Sequence, residues 1–155
     1  MDILITNLDR KCLENRISEF INILAGEPNE YWNESHFMLD LPNKYDLSVV
    51  VSVEGVTAGY IIASLKEDRP YIHKFMVRKD LRRMKIGEMM LNYFEKNLHK
   101  KGFFNIDLTV REENENAIRF YRKKKFVISG SRVDTSNNGL LLMMTKTITQ
   151  GSVNG

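Results

Sequence analysis

Between Tyr71 and Val110 the sequence runs strand, helix, strand, and that order admits few folds. Tyr71 to Val77 is apolar and aromatic enough for a strand. From about Met84 to Lys101, the residues Ile86, Met90, Leu91, Phe94 and Leu98 recur at helical spacing, and Gly102 supplies a C-terminal stop. Phe103 to Val110 then alternates Phe104, Ile106, Leu108 and Val110 as a second strand. Two strands joined through one helix lie parallel, with a right-handed crossover.

The flanks read as antiparallel additions to that unit. Ile3-Leu4-Ile5 opens as a strand, and Asp9 caps a helix to about Leu24 that Gly26 and Pro28 end. A second, shorter helix is expected over Glu30 to Leu39, with Tyr31, Trp32 and Phe37. Leu47 to Val53 and Val56 to Leu65 form a hairpin about Glu54-Gly55. A helix from Asn114 to Lys124, a strand from Phe126 to Val133, a turn at 136–139 and a strand from Leu140 to Ile148 complete the chain. The expected fold is α/β of mixed α+β type: one domain over 1–149, a mixed central sheet of about seven strands and helices on both faces. Residues 150–155 read as a loose tail.

A chain of 155 residues can bury roughly 70% of its unfolded surface, enough for a core without staples. Cys12 is alone, which excludes an internal disulfide and a cysteine-rich zinc site, and three isolated histidines leave no expected metal. No apolar run approaches the ~20 residues of a membrane span, and Met1-Asp2-Ile3-Leu4 lacks a basic signal-peptide start; a cytoplasmic location without membrane contact is expected. Residues 1–70 carry 6 basic and 12 acidic side chains, whereas residues 71–155 carry 17 and 8. Such asymmetry concerns partners more than fold, and the basic part favours an anion.

That basic part begins with Arg78-Lys79-Asp80-Leu81-Arg82-Arg83-Met84-Lys85-Ile86-Gly87, leading into the central helix. A helix start offers unpaired N–H groups and about half a positive charge, which together hold phosphate oxygens. Neither GxxxxGK[ST] nor GxGxxG is present, so nucleotide hydrolysis is not expected. Further on, Val110, Asn114, Ala117, Phe120, Tyr121 and Phe126 stand in the order V-x-x-x-N-x-x-A-x-x-F-Y-x-x-x-x-F. Residues 114, 117, 118 and 121 share one helix face.

These two stretches resemble the GNAT superfamily of acetyl-CoA-dependent N-acetyltransferases, covering about residues 70–130. Its pyrophosphate motif, [Q/R]-x-x-G-x-[G/A], is met by Arg82 and Gly87, with Lys85 in place of the first glycine. Lys125 likewise replaces the glycine of the second motif. Lys85 is expected to keep right-handed geometry, because positive φ would cost a lysine about 1 kcal/mol or more.

The resemblance implies a split between two parallel central strands that takes acetyl-CoA, with no metal. Phe75, Met76 and Val77 would pair with the pantetheine arm as an added strand. The backbone from Arg83 through Met84, Lys85, Ile86 and Gly87 to Glu88 would hold the diphosphate, with Arg82 alongside. Asn114 and Ala117 would meet the pantetheine, and Lys123 or Lys124 the 3′-phosphate. Tyr121 matches the usual general acid, Met76 or Val77 N–H would serve the oxyanion, and His73 is a candidate base. The acceptor would be a small-molecule or peptide amine, and a homodimer is possible. Two other readings are a non-catalytic acyl-CoA-binding domain and a basic nucleic-acid module, for which no aromatic RNA-binding strand motif is present.

Overall fold

The structure is a computed structural model that describes residues 1–27, 30–136 and 138–149. Pro28, part of the 136–139 turn and the tail lie outside the described residues. Among the described residues seven strands form one sheet in the order β1-β2-β3-β4-β5-β7-β6. They are β1 (Ile3–Asn7), β2 (Val49–Val53), β3 (Val56–Lys66), β4 (Arg69–Val77), β5 (Asn105–Arg111), β6 (Val127–Val133) and β7 (Leu140–Thr147). The helices are α1 (Arg10–Leu24), α2 (Glu34–Met38), α3 (Lys44–Leu47), α4 (Ile86–Lys100) and α5 (Glu115–Lys123).

Local chemistry sets most of these boundaries. Asp9 caps α1 by accepting from the Cys12 N–H at 2.7 Å, and Asn114 caps α5 by accepting from Ala117 N–H at 3.2 Å. Glu54 and Gly55 both take positive φ, the two-residue turn that suits a twisted hairpin. The same geometry recurs at Glu67 and Asp68, so β3 and β4 run on to Lys66 and Arg69, beyond the expected ends. The second expected helix shrinks to α2, started at Asn33 by a reciprocal side-chain cap with His36. The short α3 was not expected; it carries buried Lys44, whose ammonium donates to the carbonyls of Phe37 and Leu39.

One apolar cluster lies between the sheet and α4, with α5 at its margin, and holds Ile72, Phe94, Leu108 and Phe126. The other joins α1 and α2 to β2, β3 and β4 through Leu13, Phe20, Phe37 and Tyr60. That second cluster takes nothing from β5, β6 or β7, whose face on that side carries Asp107, Thr109, Met143 and Thr145. Helices therefore stand on both faces, but among the described residues none packs on the β5, β6 and β7 part of one face.

Candidate active site

β4 and β5 are the parallel pair, and their pairing stops after Tyr71–Asp107 and Ile72–Leu108. Both strands continue, to Val77 and Arg111, so the sheet opens into a split. Toward β3, β4 carries a bulge: Ile62 pairs with Lys74 and Ala63 with Ile72, which leaves His73 as the extra residue. Ile72 and Phe75 consequently both pack on the α4 side, while Met76 packs on the α1 side. Beyond the bulge, Arg78 N–H donates to Ala58 of β3 at 2.7 Å, and Met76 pairs with Tyr60. Strand alternation then turns the N–H groups of Phe75 and Val77 away from β3, toward the split. Gly59, opposite Val77, is required there, because a Cβ would stand 2.6 Å from the Met76 carbonyl oxygen.

A cleft of about 500 Å³ occupies this split. Of the residues singled out in the sequence, it gathers His73, Phe75, Met76, Asn114, Ala117 and Tyr121. Tyr121 stands among Phe75, Phe120 and Phe126, with ring centroids 6.1, 5.5 and 5.3 Å away. Its hydroxyl makes no hydrogen bond among the described residues. Burial, assisted by the Glu30 carboxylate, pushes its phenol above the usual tyrosine range, so it keeps its proton at neutral pH.

His73 lies 2.6 Å from the buried Ser64 hydroxyl through Nε2. Burial first, and then Lys66, Lys44 and Lys74, lower its pKa to about 4. The imidazole is therefore neutral at pH 7, able to accept a proton but only weakly basic.

The loop before α4 forms a second group of residues, beside the cleft. After a 3₁₀ turn over Lys79–Leu81, α4 begins at Ile86 with Lys85 as its N-cap and no side-chain cap. Its first-turn N–H groups thus lack the side-chain partner that α1 and α5 have. The expectation for Lys85 is corrected: it sits at φ 63°, ψ 18°, the left-handed conformation that suits glycine, and Arg83 is also at positive φ. Gly87 directs its missing side chain inward, since a Cβ would touch Phe75 and Val77 at 3.6 Å. Arg83, Met84 and Lys85 are exposed, whereas Ile86 is core. Glu88 pairs with Lys124, the C-cap of α5, which leaves the exposed Lys123 as the less committed of the two lysines. Arg82 is held between the Val77 carbonyl and Glu27.

Glu27, Glu30 and Lys74 line the cleft as well, and sequence reasoning did not single them out. Glu27 pairs with Arg82 and Glu30 with Lys74, whose ammonium also lies 5.3 Å from the Trp32 ring centroid. The acid excess of residues 1–70 was the one signal pointing there. Glu34, His36 and Asp40, from the same acidic part of the chain, are outside the cleft; His36 serves the α2 cap, and Asp40 is exposed 3.9 Å from Arg10.

A family model described as the acetyltransferase (GNAT) family matches residues 17–126. Among solved structures, ribosomal-protein-S18-alanine N-acetyltransferase from Escherichia coli is 22% identical with a TM-score of 0.81, covering 96% of this chain and 96% of its own. Ard1 from Thermoplasma volcanium is 25% identical with a TM-score of 0.81, covering 96% and 99%. Arabidopsis thaliana Naa50, solved in complex with the bisubstrate analogue CoA-Ac-MVNAL, is 23% identical with a TM-score of 0.75, covering 94% and 99%. Among the described residues no helix is long and apolar enough to cross a membrane.

Proposed function

The chain belongs to the acetyltransferase (GNAT) family, and on that footing we propose that it transfers the acetyl group of acetyl-CoA directly to a primary amine, with Tyr121 as general acid. The observation that carries this reading is the split between β4 and β5, lined by Tyr121 and flanked by the uncapped start of α4. The residues present suit the donor. An uncapped helix start suits a diphosphate, and a strand edge with N–H groups turned outward suits an amide-bearing arm. Acetyl-CoA, when bound, supplies the activated acetyl group.

The chain's own residues then do the following. The backbone of Arg83 to Glu88 binds the diphosphate, Phe75 to Val77 pair with the pantetheine, and Asn114 and Ala117 border it. Lys123, exposed while Lys124 pairs with Glu88, is the candidate for the 3′-phosphate. Of the two oxyanion candidates, strand alternation favours Val77 N–H. His73, neutral and held by Ser64, accepts the acceptor's proton directly or through water. The new C–N bond forms as the C–S bond breaks, and the Tyr121 hydroxyl gives its proton to the departing sulfur.

The test is calorimetry with acetyl-CoA and with a short DNA duplex, followed by free-CoA release with peptide and small-molecule amines. Acetyl-CoA binding with amine-dependent CoA release is expected. Binding without release for every amine would make the chain an acyl-CoA-binding domain, and binding of the duplex alone would make it a basic nucleic-acid module.

A further inference from the structure

A second cleft, of about 420 Å³, lies on the sheet face of β5, β6 and β7 that no helix covers among the described residues, between the β3–β4 turn and β6. It adjoins the split, since Leu108 and Thr109 line both clefts. At the junction the hydroxyls of Tyr71 and Thr109 lie 2.9 Å apart, bridging β4 and β5 where their pairing ends. Tyr71 and Met143 give it apolar wall.

Three cations and two carboxylates line it. Asp107 is taken by Arg69, which donates to both carboxylate oxygens at 2.6 and 2.8 Å, so that pair is neutral within itself. Lys66 from β3 holds its ammonium 4.6 Å from the Tyr71 ring centroid, and Arg132 approaches from β6. Neither makes an ion pair among the described residues. The remaining acid, Glu67, is exposed in the tight turn. Two cations without an ion pair among the described residues thus face an apolar floor beside the split.

We propose that this cleft takes the scaffold of the acceptor next to its amine, and that the preferred acceptor carries a carboxylate there, set between Lys66 and Arg132. The inference rests on the acetyl-transfer reading of the neighbouring split. A peptide amine followed by an acidic side chain fits, whereas a polyamine meets like charge. His73, on the same side, has its pKa lowered first by burial and then by Lys66, Lys44 and Lys74. That surround also favours the unprotonated acceptor, the form that attacks.

The experiment compares CoA release with the tripeptide amides Ala-Glu-Ala, Ala-Gln-Ala and Ala-Lys-Ala. The first is expected to exceed the last at least tenfold in kcat/KM, mostly through KM, with the gap narrowing as salt rises. The double variant Lys66→Glu, Arg132→Glu is expected to reverse the order while binding acetyl-CoA as before. Equal rates for the three peptides, or an unchanged order in the variant, overturn the inference but not the acetyltransferase reading. If acetyl-CoA binds and no amine reacts, that reading fails; calorimetry with N-acetylated Ala-Glu-Ala and Ala-Lys-Ala then decides the cleft, and equal affinities overturn it. A dimer in sedimentation that the double variant dissociates would assign the face to a second copy and overturn the inference too.

Discussion

Phe126 holds Tyr121 twice, with its N–H donating to the Tyr121 carbonyl at 2.9 Å and its ring centroid 5.3 Å from the phenol ring. Lys125 N–H donates to the Arg122 carbonyl at 3.0 Å, completing the paired bonds that close a helix through a left-handed residue. The end of α5 therefore both terminates a helix and sets the ring that lines the cleft. Phe120 and Phe75 close around the same ring.

Because that packing involves the ring and not the hydroxyl, Tyr121→Phe separates chemistry from structure. We expect kcat to fall tenfold or more, about 1.4 kcal/mol or greater, with acetyl-CoA affinity in calorimetry nearly unchanged. An unchanged kcat removes Tyr121 from the acid role.

Lys125 occupies the left-handed position at φ 77°, where its Cβ is unwelcome. Lys125→Gly should raise stability by about 1 kcal/mol in urea unfolding, leaving kcat as it is. A loss of stability would show that the lysine side chain contributes something its exposed position does not suggest.

The parts of this fold that were legible are those built from local chemistry. The Asp9 cap, the heptad-like face of α4 and the alternation in β5 are periodic or positional signals, and the β4–α4–β5 crossover follows from them. Tyr121 was singled out by the resemblance of its Asn114, Ala117, Phe120, Tyr121 pattern to the family's, and the helix face it shares with Asn114 and Ala117 lines the cleft. Lys85 misled because its side chain suggests right-handed backbone, while the loop's turn into α4 demands φ 63°. The bulge at His73 depends on how β3 pairs with β4, which no single-strand pattern reveals. Glu27 and Glu30 were missed for a similar reason: their cationic partners lie 55 and 44 residues away.

His73 offers a direct check on the buried side of β4. Its imidazole C–H resonances should titrate with a midpoint of about 4, well below the ordinary 6.5. The sign of the linked stability follows. The unfolded chain binds this proton near 6.5 and the folded chain only near 4, so stability falls as pH drops between those values. His73→Gln should flatten that slope in denaturant unfolding. A midpoint near 6.5 would mean that the imidazole is solvated and that Ser64 does not hold the ring in its buried place.

Beneath β7, Lys146 and Glu95 form an ion pair at 2.9 Å with both side chains nearly sealed from solvent. Burial pushes the Glu95 carboxyl up, against the pull of Lys146. Removing one partner strands the other in an apolar layer that includes Phe126, whose ring centroid is 6.0 Å from the ammonium. Lys146→Ala should therefore cost about 3–5 kcal/mol of unfolding free energy, whereas the double change Glu95→Leu, Lys146→Met should be neutral or stabilising by about 1–4 kcal/mol. Since Phe126 also seats Tyr121, the single variant is expected to lower kcat at temperatures below its unfolding transition, and the double variant to restore it. If the double variant is as unstable as the single one, the pair contributes specific geometry that apolar packing cannot replace.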